Sequence, residues 1–263
     1  MTLSYRTVFI SDLHLGFRWS QAEALASFLE QVQCRTLYLA GDIVDDWAMG
    51  SRRFLPPSHL RILQLITAMA AQNRVVYLQG NHDGPPDGNV EGPIEGVDVC
   101  RRAIHETADG RRFLVVHGDE FDIFQEGRRR LARLGAKAFE AVMWFDACHN
   151  RLRRLAGLRR RYLASFLKKV KEITGSVTGF EDSLLRAAKA LKLEGVICGH
   201  LHHPGLRRLD GLSYFNCGDW IHHCSALVEK DDGQLDLIGW RGRGLPALPL
   251  AGESAARPGK AAD

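Results

Sequence analysis

The chain has 263 residues, 45% hydrophobic and 25% charged, with a formal net charge of +4. That is ordinary for a soluble globular protein and long enough for one large domain, or one domain with an insertion. No apolar run approaches the roughly 18 residues of a membrane span. The start, "MTLSYRTVFISDLHLG", lacks the basic, apolar and small-residue succession of a secretory signal. The six cysteines, Cys34, Cys100, Cys148, Cys198, Cys217 and Cys224, form no CxxC pair. They read as reduced core thiols of a cytoplasmic protein.

The first third alternates between two periods. Thr7–Ser11 reads as a short buried strand. Gln21–Gln33 reads as a helix with Ala24, Leu25, Phe28, Leu29 and Val32 on one face. Thr36–Ala40 is a second strand. Leu60–Ala71 is a second helix, with Leu60, Leu63, Ile66 and Ala70 at helical spacing, and Arg74–Gln79 is a third strand. Strand–helix–strand repetition with continuous apolar strands predicts a parallel sheet covered on both faces. Gly84–Gly96 reads as a loop and Phe113–Val116 as a strand. A long helical region of about Gln125–Leu193 follows, interrupted at Gly175–Gly179 and resumed at Glu181–Leu191. Short strands are predicted at Val196–Cys198, Tyr214–Cys217, Ala226–Glu229 and Leu235–Trp240. The Ala-, Pro- and Gly-rich end, 242–263, reads as a disordered tail.

Charge is unevenly placed. Gly127–Lys171 holds 14 Lys and Arg against two acids, a net +12, so the remainder carries −8. The same segment has a sustained apolar face with Trp144, Phe145, Tyr162 and Phe166. A basic amphipathic segment attracts anionic membrane surfaces or anionic lipid substrates. Nucleic acid is the rival partner, and a solvated helical hairpin is the plain reading.

Polar clusters recur where predicted strands run out: Asp12 and His14, then Asp42, then Asn81 and His82, then His117, and last His200 and His202. In open α/β sheets, ligand sites form outside the carboxyl ends of strands. Carboxylates, an amide oxygen and imidazoles suit Mn²⁺, Fe²⁺ or Zn²⁺. Asp12-x-His14 and His200-x-His202 would each put two side chains on one side of an extended segment. Seven ligands exceed one ion's needs, whereas two ions roughly 3.5–4 Å apart, sharing a carboxylate, would use them all. Gly41, Gly80 and Gly199 precede ligands, as tight turns beside a site require. Cys217, His222, His223 and Cys224 offer a lesser zinc reading. The same stretch also reads as a loop that packs Trp220 near the substrate.

The ordered blocks Asp12-Leu-His14, Gly41-Asp42-Ile-Val-Asp45, Gly80-Asn81-His82-Asp83, His117 and Gly199-His200-Leu-His202 resemble the calcineurin-like metallophosphoesterases. That resemblance implies a four-layer α/β/β/α sandwich with a helical lid. The core would be 1–124 with 194–241, and the insertion 125–193 would form the lid. Asp12, His14, Asp42 and His202 would hold one ion; Asp42, Asn81, His117 and His200 would hold the other. Manganese is the expected metal, with iron or zinc as alternatives. A metal-bridging hydroxide would attack phosphorus in line, with His82 as general acid or electrostatic stabiliser. Asp45 and Asp83 would orient histidines or backbone.

A narrower resemblance rests on "GDIVDDW", "HGDEFD", "GHLHHP" and "NCGDWIHHCSALVE". It is to the UDP-2,3-diacylglucosamine pyrophosphatases, peripheral enzymes of the cytoplasmic face of the inner membrane. Their reaction releases UMP and 2,3-diacylglucosamine 1-phosphate in lipid A synthesis. Many of them read GNRD where this chain reads GNHD, with His82 in place of Arg. Asn81, His82, Asp122, Lys168, Lys171 and His202 are the expected substrate contacts. The alternatives are a phosphodiesterase on nucleic acid or a small nucleotide, and a non-catalytic membrane-associated protein that kept the fold.

Overall fold

In the first strand, successive residues serve opposite cores. Val8 and Ile10 join a cluster with the helices, and Phe9 joins a second cluster with another sheet. This is the period-two alternation of a strand buried on both faces. The computed structural model describes residues 2–49, 55–84, 94, 96–121, 176–240 and 246–247.

The described elements are β1 (Leu3–Ile10), α1 (Ala22–Gln31), β2 (Val32–Ala40), α2 (Asp46–Met49), α3 (Pro57–Ala70), β3 (Arg74–Leu78), β4 (Asp98–Cys100), β5 (Arg102–Glu106) and β6 (Arg112–Val116). A 3-10 turn at Asp119–Phe121 is followed by α4 (Ser176–Ala190), β7 (Gly195–Cys198), β8 (Gly205–Leu209), β9 (Leu212–Asn216), β10 (Ser225–Glu229), β11 (Leu235–Trp240) and β12 (Pro246–Ala247). Two sheets result, in the orders β12-β11-β10-β1-β2-β3-β4 and β5-β6-β7-β9-β8. Strands β1 to β4 run parallel, as do β6, β7 and β9, while β10, β11 and β12 are antiparallel.

Helices α1 and α3 cover the outer face of the first sheet through Leu25, Phe28, Leu29, Ile62 and Ile66. The inner faces meet over Phe9, Tyr38, Val76, Leu78, Phe113, Val115, Ile197, Phe215, Leu227 and Leu237. The expected mixed α/β fold with two sheets is therefore present. The chain divides into two compact units, 1–119 with 185–263, and 120–184. The basic segment Gly127–Lys171 lies outside the described residues.

Several local expectations are corrected. Val32 ends the apolar face of α1 in sequence, but it opens β2 and is buried there. The buried stripe of α3 runs through His59, Ile62 and Ile66, leaving Leu60 46% exposed. Gly179 does not break a helix, because α4 runs through it. Pro246 and Ala247, placed in the disordered tail, pair with Trp240 and Gly239. The large sheet is mixed rather than purely parallel, since the late strands add to it through short hairpins.

Candidate metal centre

The parallel strands β1, β2, β3, β6 and β7 all deliver polar residues just past their carboxyl ends. The delivery is not by extended alternation. Asp12, His14, Asp42, His200 and His202 have φ of 54°, 47°, 54°, 68° and 53°, in the left-handed region. Such backbone costs about 1 kcal/mol or more per residue without glycine and persists where surroundings impose it. Here the loops are laced together. The Asp12 N–H donates to Gly41 O at 3.0 Å and the His14 N–H to Asp42 O at 2.9 Å. The Asp83 carboxylate accepts from the N–H groups of Asp42, Ile43, Val44 and Gly80, at 2.7–2.9 Å. Gly80 is required by close approach, because a Cβ there would strike the Asp42 carboxylate.

The side chains converge. Asp42 Oδ2 lies 3.6 Å from His14 Nε2 and 3.3 Å from His117 Nε2. Asp12 Oδ1 lies 3.2 Å from His202 Nε2, which is 3.3 Å from His14 Nε2. One ligand atom each from Asp12, His14, Asp42 and His202 all lie within 4.8 Å of one another. The His117 ring packs edge-on to His200 with centroids 5.2 Å apart. Asp42 therefore sits between two histidine groups.

Three atoms decide what this cluster is for. Asp12 Oδ1, Asn81 Oδ1 and His117 Nε2 are buried without a hydrogen-bond partner. A stranded buried polar atom costs about 1–3 kcal/mol. All three belong to expected ligands, and all three offer lone pairs once His117 gives its Nδ1 proton to Ala40 O, at 3.0 Å. Hard oxygens and neutral imidazoles are the donor set that suits a divalent cation.

The charges tell the same story. Burial would raise the Asp42 pKa, but the imidazoles of His117, His14 and His82 hold it well below the usual carboxylate range. Burial would lower His117, yet the Asp42 carboxylate lifts it to about 10. Burial carries His202 down to about 4 against the pull of Asp12. Burial and the Asp42 charge push Asp83 up to about 6. Without a cation the Asp42 carboxylate favours a proton on His117 Nε2; cation binding would displace that proton and leave Nε2 the lone pair described above.

Around the centre stand groups that aim it. Ser11 Oγ donates to Asp12 Oδ2 at 2.6 Å, and the His200 N–H reaches the same oxygen at 3.0 Å, leaving Oδ1 for the centre. Asp45 Oδ2 accepts from His14 Nδ1 at 2.8 Å, and its Oδ1 accepts from His82 Nδ1 at 3.1 Å and from the Ala48 N–H at 2.8 Å. Each imidazole thus keeps Nε2 for the site, and Trp47 packs on His82 with ring centroids 4.0 Å apart. Sequence reasoning missed Ser11, and it missed His59, whose Nδ1 accepts from the Gly16 N–H at 2.8 Å and steadies the loop after His14. A lone serine before an aspartate and a histidine on a helix carry no signal of such roles.

Trp220 does not line the site. It is fully buried and packs on Phe28 with centroids 5.2 Å apart. Cys217, His222, His223 and Cys224 do not assemble as a metal group among the described residues. Asp122, Lys168 and Lys171 lie outside the described residues.

A family model described as calcineurin-like phosphoesterase matches residues 5–204. A UDP-2,3-diacylglucosamine hydrolase of Shewanella halifaxensis is 24% identical over 241 residues, covering 89% of this chain and 97% of that protein. Among solved structures, a hypothetical protein of Pyrococcus horikoshii aligns at 12% identity with a TM-score of 0.49, covering 91% of this chain and 88% of the other. Vps29 of Entamoeba histolytica, as a single mutant, aligns at 12% identity and a TM-score of 0.47, covering 93% and 99%.

Proposed function

The chain belongs to the calcineurin-like phosphoesterase family and is a metal-dependent hydrolase, and from that premise we propose that it cleaves the pyrophosphate of a nucleotide-linked lipid. UDP-2,3-diacylglucosamine is the favoured substrate, giving UMP and 2,3-diacylglucosamine 1-phosphate. The observation that carries the chemistry is the trio of stranded ligand atoms, Asp12 Oδ1, Asn81 Oδ1 and His117 Nε2. The substrate reading is supported by a hydrolase relative that aligns over nearly its whole length.

Two divalent cations, manganese first, would supply a nucleophile at neutral pH and neutralise charge on the phosphoryl oxygens. Asp12, His14, Asp42 and His202 would hold one, and Asp42, Asn81, His117 and His200 the other. Asp42 would be the shared ligand, since its Oδ2 lies near imidazoles of both sets. His82 acts on the leaving group. Asp45 accepts from its Nδ1 and the Asp42 carboxylate accepts its backbone N–H at 2.9 Å, so in the imidazolium form the Nε2 proton is the one passed to the departing phosphate oxygen, leaving the neutral ring with its proton on Nδ1. Among the described residues no helix is long and apolar enough to cross a membrane. The basic amphipathic segment Gly127–Lys171 would instead meet an anionic lipid surface, placing the protein peripherally on the cytoplasmic face of the inner membrane.

The test is turnover of UDP-2,3-diacylglucosamine by the Mn²⁺-loaded protein beside bis-p-nitrophenyl phosphate. Release of UMP far faster than nitrophenol supports the lipid nucleotide. Cleavage of the generic diester alone keeps the phosphoesterase and removes the substrate, returning nucleic acid or a small nucleotide as the alternative.

A further inference from the structure

After β9 the chain crosses from the second sheet to the first through Cys217–Cys224. This crossing is tied to both loops of the metal centre. The Trp220 N–H donates to Asp12 O at 3.1 Å, and Ser11 Oγ lies 3.1 Å from Gly218 O. Asn216 donates from Nδ2 to Gly199 O at 2.7 Å and accepts the Gly218 N–H at 2.9 Å. The segment is thereby fixed relative to Asp12 and to the turn that carries His200 and His202.

Asp219 lies in its middle, 0% exposed. Its Oδ1 accepts the backbone N–H groups of Ile221, His222 and His223, at 3.0, 2.6 and 2.9 Å. One oxygen therefore serves the turn completely. The other, Oδ2, faces two imidazoles: His223 Nδ1 at 3.0 Å and His202 Nδ1 at 3.7 Å. A turn needs only the first oxygen, which Asn would supply at lower desolvation cost than a buried carboxylate. The second oxygen is hydrogen-bonded to His223, and its charge also lies against His202. That second neighbour matters to the site, because the opposite nitrogen of His202, Nε2, is the atom 3.2 Å from Asp12 Oδ1 in the centre. An imidazole whose Nδ1 proton faces a carboxylate presents Nε2 as a lone pair and becomes a stronger ligand.

We infer that Asp219 is a positioning residue for the metal centre: its carboxylate charge, 3.7 Å from His202 Nδ1, favours a proton on that nitrogen, leaves Nε2 as the lone pair, and so strengthens cation binding. His223, its side chain 25% exposed, shares the same oxygen from the solvent side. The inference rests on the reading of His202 as a metal ligand.

Asp219→Asn separates this role from turn capping. The amide oxygen can still accept three N–H groups, while the amide nitrogen sets a donor against His202 Nδ1 and opposes the useful tautomer. Mn²⁺ titration of the metal-free full chain should show binding about 10–100-fold weaker than in the unaltered protein. The melting temperature without metal should be nearly unchanged. A double-mutant cycle covers the case in which the turn itself loosens. In a His202→Ala background, Asp219→Asn should weaken Mn²⁺ binding by less than about twofold. Equal losses in both backgrounds, or no loss in the first, would overturn the inference while leaving the metal centre intact. Absence of Mn²⁺ binding by the unaltered protein would instead remove the metal reading, and this inference with it.

Discussion

Among the described residues, the buried carboxylate–imidazole clusters around Glu229 and around Asp42 are built to opposite rules. In the first, Glu229 is fully buried in regular strand β10. Its Oε1 accepts from Arg6 at 3.1 Å and the Ala108 N–H at 2.8 Å; its Oε2 accepts from Thr7 at 2.6 Å and His105 at 2.9 Å. In the second, around Asp42, polar side-chain atoms are stranded and the backbone is left-handed at five non-glycine positions that carry expected ligands. A satisfied network in relaxed backbone stabilises the fold. An unsatisfied network in strained backbone is held in place by the fold for something else to complete. Buried charge alone would not distinguish the two; hydrogen-bond accounting does.

Substitutions should therefore have opposite signatures at the two places. The largest effect is expected for Asp42→Asn. It should lower kcat/KM on any phosphodiester by on the order of 10³-fold or more, since it removes the carboxylate charge that the two proposed ions would share. Without metal the variant should melt somewhat lower, because the Asp42 carboxylate is favourably paired with buried imidazoles, but the activity loss should persist under conditions where it is fully folded; full activity there would erase the contrast. His82→Ala comes next, with a loss of about 10²–10⁴-fold in turnover and unchanged metal content by elemental analysis. Loss of metal from that variant would move His82 into the ligand set.

Glu229→Gln should act on stability alone. It leaves donors short of an acceptor in the interior, at a cost of about 1–3 kcal/mol, with activity per folded molecule preserved. Its pH dependence has a definite sign. Burial would raise the Glu229 pKa, but His105, Thr7 and the Ala108 N–H bring it below the ordinary value. A depressed folded pKa means the contribution is present above the ordinary carboxylate range and is lost as pH falls through the folded value. Acid unfolding curves of the two proteins should thus converge at low pH; a constant gap would refute that origin. The smallest effect is expected for Trp47→Ala. Removing one ring contact worth about 0.5–1.5 kcal/mol should lower turnover by about tenfold or less, without altering metal binding.

The contrast also explains what could be read in advance. The ligands were legible because glycine and a polar side chain break an apolar strand, as at Gly41-Asp42 and Gly80-Asn81. Their backbone was not, since a left-handed φ at Asp12 or His202 comes from the interlocked loops rather than from local preference. Strands β4, β5 and β8 were invisible because they are short, partly exposed and charged, as in "GLRRL". Trp220 drew attention beside the site and proved to be core, because burial follows the direction of its loop and not its distance in sequence from Asp219. Asp219 itself could not be found, since one aspartate after a glycine does not disclose which imidazole it faces.

The most direct test counts bound ions. The protein and Asp42→Asn would be loaded with Mn²⁺, freed of excess by desalting, and measured by elemental analysis. The account predicts about two ions per chain in the unaltered protein, from the two ligand sets that share Asp42, and at most one in the variant. No retained metal in the first, or the same two in both, would contradict a dinuclear centre held through Asp42.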